Sequence, residues 1–214
     1  MWYQDICTTF KNMGYKRLES DHAVFIHSCK GLISTITLYV DDISMTGSDL
    51  ETIEKDKDKL KEKYQMTDLG EISLILGMRV TRDREKGLIT LSQQQYIEDL
   101  LERFGMSDVR PISTPALANE HLIKLDSPEI DVKSYQHAIG ALMYLMLGTR
   151  PDLAYAVGAL GRHAANLGPD HQRALDCVFK YLRATSDCGL VFEQGSGITL
   201  VGYADADWAS DVND

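Results

Sequence analysis

No C-x-x-C pair occurs in this 214-residue chain, and its four cysteines, Cys7, Cys29, Cys177 and Cys188, are scattered without a histidine cluster at metal-ligand spacing. That argues against a thiolate metal site and against a disulfide framework. With no signal-peptide pattern ahead of them, the cysteines are expected to be reduced and mostly buried in an intracellular protein. No apolar run exceeds Ala141 to Leu147, which falls far short of the roughly 20 residues a membrane-spanning helix needs. No membrane partner is expected. Internal repeats and low-complexity segments are missing as well.

Positive charge is scarce, with a formal net charge of −10. This weakly disfavours a surface that neutralises phosphates by counterion release. The imbalance is uneven, however. Between Ser134 and Thr185, Arg150, Arg162, Arg173, Lys180 and Arg183 outnumber Asp152, Asp170 and Asp176, whereas Asp205, Asp207, Asp211 and Asp214 crowd the C-terminus. At 44% hydrophobic residues the chain can bury a real core, as one large domain or two small ones.

The patterning reads as α+β. Trp2, Tyr3, Ile6, Phe10 and Met13 follow a helical period that Gly14 can end. Ala23 to His27 and Leu32 to Val40 read as an antiparallel pair, the second with Ile36, Leu38 and Val40 on one face and Thr35, Thr37 and Tyr39 on the other. Ile43 to Thr46 resumes the alternation. A charged helix follows, with an N-cap at Ser48 or Asp49, a thin stripe of Leu50, Ile53, Leu60 and Tyr64, and a charge run read as a solvated face. Ile72 to Ser92 reads as two strands around an REKG turn, and the helix after it ends at Gly105. Arg110 to Asp131 holds three of the five prolines and reads as an extended connector, placing a domain boundary there. Three helical stretches, Tyr135 to Leu147, Asp152 to Asn166 and Asp170 to Ala184, precede two strands, Gly189 to Phe192 and Ile198 to Tyr203.

The stretch LYVDDISMTGSD holds the main chemical signal. Asp41 and Asp42 are adjacent like charges at the reversal between two strands, where Asn-Gly or Asp-Gly would serve a purely structural turn better. One reading is a solvated loop. The other is a divalent-cation site, because Mg²⁺ takes hard oxygen ligands from one or two carboxylates and completes its shell with water and substrate phosphates. Paired ions about 3.5–4 Å apart serve phosphoryl transfer between nucleotides.

The strand ending in Tyr39-Val40-Asp41-Asp42 resembles the Y-x-D-D hairpin of reverse transcriptases. The ordered blocks YVDDISMTGSD, MTDLGEISLILGMRV, LITLSQQQYIEDLLERFGM, STP, GALMYLMLGTRPDLAYAVGAL, HQRALDCVFKYLRAT and LVGYADADWASD resemble the Pol polyprotein of Ty1/copia-type LTR retrotransposons from one end of the chain to the other. The resemblance implies that Asp41 and Asp42 are palm metal ligands for Mg²⁺ or Mn²⁺, with a template–primer of RNA or DNA and deoxynucleotides as partners. Tyr39 and Val40 would pack beneath the primer end. Leu76, Gly77 and Met78 would grip the primer backbone, and Arg79, Arg82, Arg84 and Arg103 are phosphate-contact candidates.

ITLVGYADADWASD resembles the first strand of an RNase H domain, with Asp205 as its first metal-binding carboxylate. The implied layout is residues 1–109 as the C-terminal part of a palm and the start of a thumb, 110–133 as connector, 134–187 as a helical connection region, and 188–214 as the start of an RNase H-like sheet. The family's upstream palm aspartate and fingers have no counterpart here: Asp5 falls within a helix and Asp21 in a polar turn. The expectation is therefore a polymerase segment that is inactive without its N-terminal half. The alternatives are a non-catalytic remnant kept as a nucleic-acid-binding or interaction protein, or a cation-dependent phosphotransferase or nuclease using only the carboxylates present.

Overall fold

The computed structural model describes residues 2–29, 31–116, 122–123, 131–195, 197 and 201–204. Among them are six α-helices and two four-stranded antiparallel sheets, a mixed α/β architecture that agrees with the expected class. The chain divides into two compact units, residues 1–72 and 73–214. The connector at 110–133 lies inside the second unit, so the division does not coincide with the boundary expected from the prolines.

In the first unit α1 (Trp2–Asn12) leads into a meander of β1 (Lys16–Arg17), β2 (Val24–Cys29), β3 (Leu32–Tyr39) and β4 (Asp42–Gly47), followed by α2 (Leu50–Lys63). Gly14 ends α1 at φ 95, and the Tyr15 N–H reaches back to the Phe10 carbonyl at 3.0 Å, the bond of a Schellman stop that a residue with a Cβ resists. The apolar stripe of α1 buries Ile6 and Phe10 against the sheet, where Phe10 meets Phe25 edge to face at a centroid distance of 5.0 Å. Phe25 pairs with Ile36 and Ile36 with Met45, so one face of the meander presents a continuous apolar row.

α2 is capped by Asp49, whose carboxylate accepts from the Thr52 N–H at 3.0 Å, while Ser48 Oγ accepts from the Ile33 N–H at 3.1 Å. Its charges are mostly solvated pairs such as Glu51–Lys55. Asp56 is the exception and a correction. It is 4% exposed and accepts from the Tyr15 hydroxyl at 2.8 Å, because it lies one turn from Ile53 and Leu60 on the inward face.

The second unit opens on β5 (Leu74–Ile75), β6 (Met78–Asp83) and β7 (Leu88–Ser92), then α3 (Gln94–Arg103), α4 (Val132–Gly148), a 3₁₀ turn (Pro151–Leu153), α5 (Ala154–Gly161), α6 (Pro169–Ala184) and β8 (Leu190–Glu193). Its core joins Leu100 of α3, Leu142 of α4, Leu153, Val157 of α5 and Phe179 of α6. β8 pairs antiparallel with β7, Phe192 against Ile89 and Leu190 against Leu91. β8, which the sequence placed within the segment 188–214, is thus the fourth strand of this sheet. Gly189 makes the approach possible, since a Cβ there would sit 2.3 Å from the Leu91 carbonyl oxygen. The second expected strand, from Ile198, falls largely outside the described residues.

Two expectations about single residues change. Arg150 is 1% exposed and does not contribute to a basic surface. Its guanidinium donates from Nη2 to Asp152 Oδ2 at 2.7 Å, from Nε to Asp152 Oδ1 at 3.0 Å and from Nη1 to the Thr185 carbonyl at 2.9 Å, tying the end of α4 to the end of α6. Burial works to raise the Asp152 carboxyl, but Arg150 and the Tyr181 hydroxyl outweigh it and hold it below the usual range. Of the cysteines, Cys7 and Cys177 are buried while Cys29 and Cys188 are exposed, and none of the four is in a disulfide. Among the described residues no helix is long and apolar enough to cross a membrane.

Candidate functional site

β3 and β4 pair without interruption from Ser34 opposite Gly47 to Tyr39 opposite Asp42, leaving Val40 and Asp41 as a two-residue turn. Leu38, 5% exposed, and its partner Ile43 face inward, so by strand alternation the last pair, Tyr39 and Asp42, points to the other face. Val40 does not continue the buried row of Ile36 and Leu38 as its period suggested. It occupies the turn at φ 54 and is 72% exposed. Two-residue hairpin turns require positive φ and normally place Gly, Asn or Asp there; a β-branched residue in that region costs on the order of 1–3 kcal/mol.

Asp41 and Asp42 are both exposed, and among the described residues neither carboxylate has a hydrogen-bond or ion-pair partner. The two aspartates that precede the hairpin are occupied locally. Asp21 Oδ1 accepts from the Ala23 N–H at 2.8 Å. Asp5 accepts from the Tyr64 hydroxyl and from Lys63 Nζ, bonds that hold its carboxyl below the usual range. Among the described residues no group of three or more His, Cys, Asp or Glu side chains is arranged to hold a metal ion. The pair is therefore a two-carboxylate donor set of hard oxygens, a fit for one side of a Mg²⁺ shell whose remaining ligands are water and phosphate.

A residue absent from the sequence-derived set holds the turn. Trp2 Nε1 donates to the Val40 carbonyl oxygen at 3.0 Å. The Trp2 ring meets Tyr64 edge to face at 5.3 Å, and the Tyr64 hydroxyl lies 2.6 Å from Thr9 Oγ1.

The second unit repeats this device. Ile75 pairs with Met78, so Leu76 and Gly77 form another two-residue turn, at φ 49 and φ 76. The Tyr144 hydroxyl donates to the Leu76 carbonyl at 2.6 Å, and Tyr144 itself packs edge to face on Tyr96 at 4.9 Å. A Cβ on Gly77 would lie 2.5 Å from the Tyr144 oxygen, so the close approach needs glycine. Arg79 follows on β6, paired with Leu74 and Ser92, and Arg103 sits in the last turn of α3; both are exposed.

The structure thus groups Tyr39, Val40, Asp41 and Asp42 at one hairpin end of the first unit, and Leu76, Gly77, Met78 and Arg79 at one end of a sheet in the second. Asp205 lies outside the described residues. Trp2 and Tyr144 left no signal in the sequence, because each reaches its carbonyl across dozens of residues of chain.

Residues 1–118, which include both turns, match the family model described as reverse transcriptase (RNA-dependent DNA polymerase). The chain belongs to the reverse transcriptase family. It is 38% identical, over 99% of its length, to a retrovirus-related Pol polyprotein from transposon TNT 1-94 of Nicotiana tabacum. Over its full length it is 32% identical to a retrovirus-related Pol polyprotein from transposon RE2 of Arabidopsis thaliana. The expected kinship with retrotransposon Pol polyproteins is borne out along the whole chain. The chain covers 16% and 14% of the length of these two relatives. No solved structure matches it.

Proposed function

We propose that this chain is a segment of a Ty1/copia-type RNA-directed DNA polymerase in which Asp41 and Asp42 bind divalent cations for nucleotidyl transfer. The observation that carries this reading is the pair itself: two unpartnered, exposed carboxylates at a hairpin end, Asp41 in the turn behind Val40 and Asp42 opening β4, within the residues that match the family model. Unpaired like charges side by side on a rigid hairpin are unfavourable unless a cation joins them. When bound, Mg²⁺ or Mn²⁺ activates the primer hydroxyl and neutralises charge on the incoming nucleotide.

The chain's own residues do the placing. β3 and β4 hold Asp42 in register opposite Tyr39, and the two-residue turn sets Asp41 beside it. Tyr39 and Val40 offer an exposed apolar surface to a primer end. In the second unit the Leu76–Gly77 turn presents its backbone to a phosphodiester chain, with Arg79 and Arg103 as further phosphate contacts. The partners in this reading are a template–primer of RNA or DNA and deoxynucleotides, in an intracellular setting. Residues 1–109 serve as the C-terminal part of a palm and the start of the thumb, 110–133 as connector, and 134–187 as a helical connection region. Residues 188–214 serve as the start of an RNase H-like domain, with Asp205 as its first metal-binding carboxylate. Two carboxylates are an incomplete set for this chemistry, so the 214-residue chain alone is not expected to extend a primer.

Localised oxidative cleavage tests the metal site. Fe²⁺ with ascorbate should cut the backbone around residues 39–43, excess Mg²⁺ should suppress the cuts, and the Asp41→Asn, Asp42→Asn variant should not show them. Cuts that persist in that variant would sink the assignment.

A further inference from the structure

We propose that Trp2 is a positioning residue for Asp41: its indole N–H holds the Val40 carbonyl and thereby the backbone orientation of the turn that carries both carboxylates. The inference rests on reading Asp41 and Asp42 as metal ligands.

Three observations support it. First, the turn is strained and has no slack. Val40 sits at φ 54 with Tyr39 and Asp42 already paired across the ladder, so relaxation of Val40 to negative φ would have to rotate the Val40–Asp41 peptide. That peptide's oxygen is the one Trp2 Nε1 reaches at 3.0 Å, across 38 residues of chain.

Second, the donor is itself fixed. The Trp2 ring stands edge-on to Tyr64 at 5.3 Å. The Tyr64 hydroxyl is bonded to Asp5 and lies 2.6 Å from Thr9 Oγ1, both on α1. Lys63 Nζ closes the group with bonds to Thr9 Oγ1 at 2.7 Å and Asp5 Oδ1 at 3.1 Å. The first turns of α1 and the C-terminal end of α2 are thereby joined around the ring that grips the turn.

Third, the fold does not need this bond for its core. Val40 is 72% exposed and Tyr39 57% exposed, and the buried row of the sheet ends at Leu38. A hairpin with only a structural task would place Asn-Gly in this turn and need no external donor. An aromatic N–H committed to an exposed, strained carbonyl next to two unpartnered carboxylates makes sense if the orientation of Asp41 matters.

The test uses the full chain with Trp2→Phe, which keeps an aromatic edge for Tyr64 and removes the donor. Mn²⁺ affinity is read by electron paramagnetic resonance, and amide hydrogen exchange is read at residues 40–42. The expected result is a Mn²⁺ dissociation constant raised about three- to tenfold and turn amides exchanging faster by a similar factor, as the loss of one hydrogen bond implies. Ile53→Val, a destabilising change elsewhere in the same unit, should leave both readouts unmoved. Unchanged affinity and unchanged exchange in Trp2→Phe would overturn the proposal, as would equal effects from Ile53→Val.

If the wild type binds Mn²⁺ no better than the Asp41→Asn, Asp42→Asn variant, the metal reading fails on its own. The hold of Trp2 on the turn is then decided by exchange alone: faster exchange upholds it, and unchanged exchange overturns it. Should Trp2→Phe not fold, 3-benzothienylalanine at position 2, which replaces the indole N–H by sulfur in the same shape, gives the same two readouts.

Discussion

The Tyr144 hydroxyl donates to the Leu76 carbonyl oxygen across 2.6 Å, fastening α4 to the turn between β5 and β6. Leu76 holds φ 49, a conformation that costs an L-residue roughly 1–2 kcal/mol, and the bond offsets part of that cost. Tyr144→Phe should lower stability by about 0.5–1.5 kcal/mol in urea unfolding. Gly77→Ala should cost more, over about 1 kcal/mol, because its Cβ would meet the Tyr144 oxygen at 2.5 Å and because φ 76 is strained for alanine. Equal stability of Gly77→Ala and wild type would show that the turn is not held in this form.

The carboxylates of the first unit behave differently. With EDTA present, Asp41→Asn and Asp42→Asn should change the unfolding free energy by less than about 0.5 kcal/mol, or raise it slightly through relief of like-charge repulsion. Neither carboxylate has a protein partner among the described residues. A large loss of stability in metal-free buffer would mean that the pair is structural.

Arg150 should be among the most sensitive positions in the second unit. Arg150→Met nearly keeps the volume but removes the guanidinium bonds to Asp152 and to the Thr185 carbonyl, leaving Asp152 only the Tyr181 hydroxyl as a side-chain donor. Breaking a buried pair from one side typically costs about 3–5 kcal/mol, and partial exposure of the Asp152 side chain, 38%, points to the lower end. A denaturation midpoint within error of wild type would contradict the geometry.

Acid titration should reveal a local clasp after α2. The Gly70 N–H and then Lys61 and Lys57 hold the Asp68 carboxyl down to about 2 from 3.8. A depressed carboxyl contributes its stabilising effect fully above its unfolded pKa, and that contribution is lost as the pH falls through the folded one. Resonances of Gly70 and Asp68 should therefore stay native-like below pH 4 and shift with a midpoint at about pH 2. A midpoint near 3.8 would show that the clasp is open in solution.

Local features of the fold were legible because their causes are local. The period of Ile6 and Phe10 with Gly14 behind it marked α1, the alternation from Leu32 marked β3, and Asp49 was one of two caps proposed for α2. The Asp pair was placed correctly at a strand reversal, with Asp42 as the first residue of β4. Val40 was misread, because strand alternation has no marker for where a turn begins, and a β-branched residue normally signals that the strand continues.

The charge run of α2 concealed Asp56, since a buried aspartate and a solvated one look alike until Tyr15 is known to lie above it. Arg150 counted as a basic surface residue for the same reason: its partner Thr185 is 35 residues away. The pairing of β8 with β7 was not legible, because strand pairing between segments so far apart in the chain leaves no trace in either segment's pattern.

By itself the sequence determined the elements, the two adjacent carboxylates at a hairpin and the family in whose order its motifs run. These depend on short-range periodicity and on side-chain chemistry carried by neighbouring residues. Only the tertiary structure decided that Trp2 and Tyr144 each hold a strained turn by its carbonyl, that Asp56 and Arg150 are internal, and that β8 completes the second sheet. Each of these is a contact between residues far apart in the chain, where the satisfaction of one polar group depends on a partner that only folding brings within reach.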